Sequence, residues 1–72
     1  MRLRIRLDTF KDAADFADIT SKLSGKITIT DGAGLCVNAK SVLGALHAME
    51  FEEIWCESEE DIWYNIKDFM FD

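Results

Sequence analysis

Hydrophobic spacing along this chain switches repeatedly between a period of two and a period near 3.6. Residues 2–7 alternate strictly, which predicts a half-buried strand with Leu3, Ile5 and Leu7 toward a core and Arg2, Arg4 and Arg6 away from it. Phe10, Ala13, Phe16, Ala17, Thr20 and Leu23 then recur at helical spacing over residues 10–23. Asp8 or Thr9 is placed to cap that helix and Gly25 to stop it. Residues 26–30 are a β-branched run of period two, a second strand. Asp31-Gly32-Ala33-Gly34 needs positive φ, so it predicts a hairpin returning through a third strand at 35–37. Asn38 is placed to cap a second helix over 39–47, with Val42, Leu43, Leu46 and Met49 as its apolar stripe. Residues 51–56 read as a fourth strand. Ser58, with Asp61 three positions on, has capping-box spacing for a last helix whose buried stripe is Ile62, Ile66, Phe69 and Met70, with Trp63 beside it.

The order is βαββαβα, an α+β pattern in one domain over residues 1–72. It predicts an open-faced β-sandwich: a four-stranded antiparallel sheet with three helices on one face. Right-handed crossovers place the fourth strand between the first and second, giving the order 1-4-2-3. Arg4 and Arg6 then lie across from Glu53, Trp55 or Glu57, so the basic start and the acidic stretch neutralise each other on the open face. A ferredoxin-like sandwich shares βαββαβ but leaves the third helix unexplained.

Charge narrows the function. The net charge is −6, from 8 bases and 14 acids, which argues against a nucleic-acid binder. The charge is also lopsided. The first seven residues hold three arginines and no acid, and residues 50–61 hold seven acids and no base. No run approaches the roughly 20 apolar residues that span a bilayer, and no secretory signal is visible, so the expected location is the cytoplasm. Cys36 and Cys56 are expected to be free thiols there. With one histidine and no Cys-x-x-Cys, neither a metal nor a cofactor is expected. No nucleophile–base pair is evident, so the chain is not read as an enzyme. The glycine-rich turn at 31–34 is not a phosphate loop, since no Lys-Ser/Thr closes it and no helix follows directly.

Val37-Asn38-Ala39-Lys40-Ser41-Val42-Leu43-Gly44 resembles the start of the second helix in HPr, the histidine-containing phosphocarrier family of the sugar phosphotransferase system. The element order is also that family's order. The resemblance runs through the hairpin and loosely to the last helix. It implies a small cytoplasmic protein that takes a phosphoryl group onto a histidine at the start of the first helix. The family's Gly-x-His-Ala-Arg-Pro loop is absent. This chain has Leu7-Asp8-Thr9-Phe10-Lys11-Asp12-Ala13-Ala14, with Lys11 at the position of the missing histidine. A protonated lysine is a poor phosphoryl acceptor, and Asp8, Asp12 and Asp15 repel phosphate at a helix start. The phosphorelay therefore does not carry over.

Ser41 does carry over. It matches the serine that a dedicated kinase phosphorylates in the Gram-positive branch of the family, where phosphoserine forms act as corepressors. Regulatory catabolite-repression paralogues lack the histidine and keep this serine, and the chain resembles that pattern. The resemblance implies a protein partner (a kinase, a transcriptional regulator or a transport enzyme), met through Lys40, Leu43, Gly44 and His47. A monomer is expected. His47 is read as a helix-end residue, with a displaced phosphoacceptor as the alternative. Trp55, Trp63 and Tyr64 cannot all be buried in so small a domain, and one is expected on the open sheet over an arginine. The competing functions are a phosphocarrier with an unconventional acceptor and a structural or assembly module.

Overall fold

A computed structural model describes residues 1–72. Its elements are β1 (Arg2–Ile5), α1 (Phe10–Ser21), β2 (Ile27–Thr30), β3 (Cys36–Asn38), α2 (Val42–Ala48), β4 (Ile54–Ser58) and α3 (Trp63–Ile66), the last running into a 3-10 turn over Lys67–Phe69. The strands form one antiparallel sheet in the order β1-β4-β2-β3. The architecture and strand order are those expected from the spacing. No helix is long and apolar enough to cross a membrane.

Alternation sorts the two faces of the sheet. Ile5, Ile27, Ile29, Ile54 and Cys56 are buried on the covered face. Their neighbours Arg2, Arg4, Thr28, Thr30, Trp55 and Glu57 fall on the other face. Ala13, Phe16, Ala17 and Thr20 of α1, Ala45 and Ala48 of α2, and Ile66 of α3 are likewise buried. Phe16 meets Phe69 edge to face, with ring centroids 5.3 Å apart, which draws the C-terminal turn onto α1. Thr20 is the one buried polar residue. Its hydroxyl donates within α1 and also to the Ala39 carbonyl at 2.8 Å, joining α1 to the β3–α2 connection.

Several local boundaries differ from the spacing, each for a physical reason. Thr9, one of the two expected caps, closes a full capping box with Asp12. Phe10 is 78% exposed, because it lies one turn ahead of the packed stretch that begins at Ala13. Asn38 does not cap the second helix. Its side chain accepts from Lys40 N and its carbonyl from Ser41 N, which closes a turn and leaves the cap to Ser41. The stripe of that helix is also corrected. Ala45 and Ala48 face the core, whereas Val42 and Leu43 are exposed. Residues 49–51 turn back onto the end of α2, so β4 starts at Ile54. Ser58 ends β4 and bonds the Glu60 carbonyl, so the capping box expected for the last helix does not form. Asp61 accepts from Trp63 N instead. Phe69 and Met70 are half-buried.

The lopsided charges find different partners. Arg2 meets Glu57 at 3.6 Å and Arg6 meets Asp8 at 3.0 Å, both half-exposed pairs worth under about 1 kcal/mol. Arg4 stacks on Trp55 and Phe71. Glu59 accepts from Lys26 N at 2.8 Å and Glu60 from the Ser24 hydroxyl, so acids after β4 fasten the α1–β2 connection. On the far side of β1, Arg6 N donates to the Phe69 carbonyl and Phe71 N to the Arg4 carbonyl. The C-terminal segment thereby covers the strand edge.

Candidate functional site

Two helix starts carry the residues singled out by sequence. At α1, acidic side chains crowd the helix start and take part of its backbone donors. Asp12 Oδ2 accepts from the amides of Asp8 and Thr9, and Thr9 Oγ1 accepts from Asp12 N. Lys11 stands in the first turn with its ammonium 2.7 Å from Asp15. That hydrogen bond, reinforced by the charge of Asp15, raises the lysine pKa above its ordinary value. The side chain is therefore held protonated, the opposite of what a nucleophile needs. A groove of about 590 Å³ runs between α1 and the C-terminal turn, lined by Asp8, Asp12, Asp15, Asp18 and Asp68 with a single arginine, Arg6. Four of those aspartates are engaged: by Arg6, the capping box, Lys11 and Lys22.

The start of α2 is different. Ser41 is the N-cap in extended backbone, and its hydroxyl accepts from Gly44 N at 3.2 Å. No acidic residue stands in the first turn. Beside it lies an open groove of about 690 Å³, whose lining includes Ser41, Leu43, Gly44, Leu46, His47 and Glu50. Leu43 is 77% exposed and Val42 is 49% exposed, an apolar step at the helix start. Ser41, Leu43, Gly44 and His47 are thus brought to one surface. Lys40 is not among them. Its ammonium donates to the Leu23 carbonyl at 2.7 Å, satisfying a free carbonyl just past the end of α1.

Gly44 also has a packing role. A Cβ there would overlap the Asn38 carbonyl oxygen and come within 3.4 Å of its carbon. The helix can therefore cross the end of β3 at this distance only with glycine at that position. His47 is exposed, with its ring centroid 5.8 Å from that of Phe51, and lies in the last turn of α2. Sequence spacing places Val42 in the buried stripe and Glu50 only in the acidic stretch, so neither is expected at this surface. The signal for Val42 was available in Ala45 and Ala48, small residues three apart that define a close-packed face elsewhere on the helix.

Outside this groove, Cys36 is exposed on β3 and Cys56 is buried in β4. Burial pushes the Cys56 thiol up to about 12, so it is inert near neutrality. Trp55 is the aromatic on the open sheet, with Arg2 4.7 Å from its ring centroid. The hairpin turn folds against this pair: Gly32, at φ 78°, sits so close that a Cβ would touch Arg2 and Trp55. Tyr64 is 74% exposed beneath Lys67. Comparison of the chain with protein-family models, curated proteins and solved structures finds no match.

Proposed function

We propose that this chain is an HPr-like regulatory or partner-binding module without phosphorelay activity, docking a protein partner on the α2 face and switched by phosphorylation of Ser41. The observation that carries the reading is the apolar step of Val42 and Leu43 standing exposed beside a capping serine. Burying a side chain such as Leu43 against a partner contributes about 1.5–3 kcal/mol, enough for one anchor of an interface. A phosphate on Ser41 adds a charge of about −2 next to that anchor and finds backbone amides and no carboxylate in the first turn. The neutral face becomes charged while the helix keeps its cap, as a recognition switch requires. The partner classes are a serine kinase, a transcriptional regulator or a transport enzyme, met in the cytoplasm.

The fold supports the resemblance through its strand order, β1-β4-β2-β3 with two helix starts above it. Against a working phosphocarrier stand the paired Lys11 and the occupied cap of α1. Intact mass after incubation with ATP and a Gram-positive HPr serine kinase tests the switch. One added phosphate, lost in Ser41→Ala, is expected, and no addition refutes it. A separate incubation with phosphoenolpyruvate and the upstream transferases is expected to leave no acid-labile phosphate.

A further inference from the structure

β1 presents Arg2 and Arg4 toward the open side of the sheet, Arg6 follows just past its end, and the three are not equivalent. Arg2 has Glu57 and Arg6 has Asp8. Arg4, between them, has no carboxylate within ion-pairing distance. Its Nε is buried without a hydrogen-bond partner, the only side-chain atom in the structure so placed. The guanidinium is stacked, 3.9 Å from the Phe71 ring centroid and 5.9 Å from that of Trp55. Stacking restricts the plane of the group and removes water from its faces, so its donors can be satisfied only along its edge. That edge geometry matches a carboxylate.

A small cleft of about 200 Å³ adjoins it, with Arg4 and Phe71 in its lining together with Met49, Phe51 and Ile54. We infer that this cleft binds a small monocarboxylate with an apolar body: the carboxylate on Arg4 and the body against Met49, Phe51 and Phe71. The volume equals that of about six or seven water molecules, the size of a short branched acid. The charges around it select against polyanions. Asp8, Glu52 and Glu53 share the lining, with Asp8 held by Arg6 and Glu53 by the Trp55 indole at 3.1 Å. A second negative group on the ligand would face these acids, whereas a single one is answered by Arg4.

This inference does not depend on the reading of Ser41. Isovalerate is the probe, titrated into the full 15N-labelled chain, with isovaleramide and sodium chloride as controls. Isovalerate is expected to shift the Arg4 Nε–H and Trp55 indole signals saturably, and isovaleramide is expected to leave them in place. Arg4→Lys keeps the charge but loses the fork, so it should weaken binding by about tenfold or more. Arg2→Lys, outside the cleft, should bind as the unsubstituted chain does. Shifts that rise linearly and are reproduced by sodium chloride would overturn the inference. So would unchanged affinity in Arg4→Lys.

Discussion

Gly44→Ala is the substitution whose sign separates two explanations of one residue. If Gly44 were a helical glycine free of contacts, alanine would stabilise α2 by about 0.5–1 kcal/mol, since glycine loses more backbone freedom on folding. The structure puts the Asn38 backbone in the way: its carbonyl oxygen would be overlapped, and its carbon and nitrogen lie 3.4 and 3.5 Å from the added carbon. Backbone atoms cannot swing aside as a side-chain tip can. Ala45 and Ala48, both fully buried, hold the helix from the next turn. Overpacking of this kind costs about 1–3 kcal/mol. Subtracting the helix-propensity gain leaves a net loss centred on about 1 kcal/mol and reaching about 2.5 kcal/mol. For a domain of this size the centre of that range is a fall in Tm of roughly 4–8 °C, since 1 kcal/mol shifts Tm by about 4–8 °C. Urea unfolding followed by circular dichroism is the assay. A lower midpoint with an unchanged m-value is expected. A midpoint at or above that of the unsubstituted chain would refute the close approach of α2 to β3.

Thr20→Val keeps the shape but strands the buried Ala39 carbonyl, so a loss of about 1–3 kcal/mol in urea unfolding is expected, and a neutral result would refute the cross-link. Ser41→Ala removes a cap and should cost about 1 kcal/mol, whereas Ser41→Asp, a good capping residue, should unfold near the original midpoint; equal losses in both would contradict the N-cap assignment. The Cys56 thiol is raised in the fold from 9.0 to about 12, so the unfolded chain loses its proton first. Its contribution is intact below pH ~9 and is lost as pH rises toward about 12, with about 1.4 kcal/mol gone by pH 10. Cys56→Ala should abolish that alkaline difference in stability between pH 8 and pH 10, and an unchanged pH slope would contradict the burial.

What could be read from sequence divides along a physical line. Period-two runs and helical stripes record which residues leave water, so spacing places Ile5, Phe16, Ala17 and Ile66 in the core where the structure has them, and the strand order follows from chain handedness. Boundaries failed where side chains compete for backbone groups. Asn38, Ser41 and Ser58 all have capping chemistry, and only the three-dimensional turn decides which one caps. The stripe of α2 failed for another reason. Val42 and Leu43 are the more hydrophobic residues, but a helix that must come close to β3 packs through Ala45, Ala48 and Gly44. In the candidate site, Ser41, Leu43, Gly44 and His47 do share a surface, while the Lys40 ammonium is spent on Leu23. Alternation places Arg4 outward across from β4 but makes all three arginines look alike, so it does not single out Arg4 as the unpaired one. Its unpaired state depends on Phe71, a residue distant in the chain.

The two helix starts differ in the charges that surround them. At α1, Asp12 doubles as a capping partner and an acceptor for two amides, and Asp15 holds Lys11 charged. Each contact stabilises the helix start and keeps a carboxylate beside it, whose charge opposes an anion there. At α2 the first turn carries no acid, one neutral hydroxyl caps it, and the residues that follow are apolar and exposed. A negative group added there meets no first-turn carboxylate. The net charge of −6 does not reveal this asymmetry between the starts, which leaves the proposed phosphate on Ser41 free of a first-turn carboxylate.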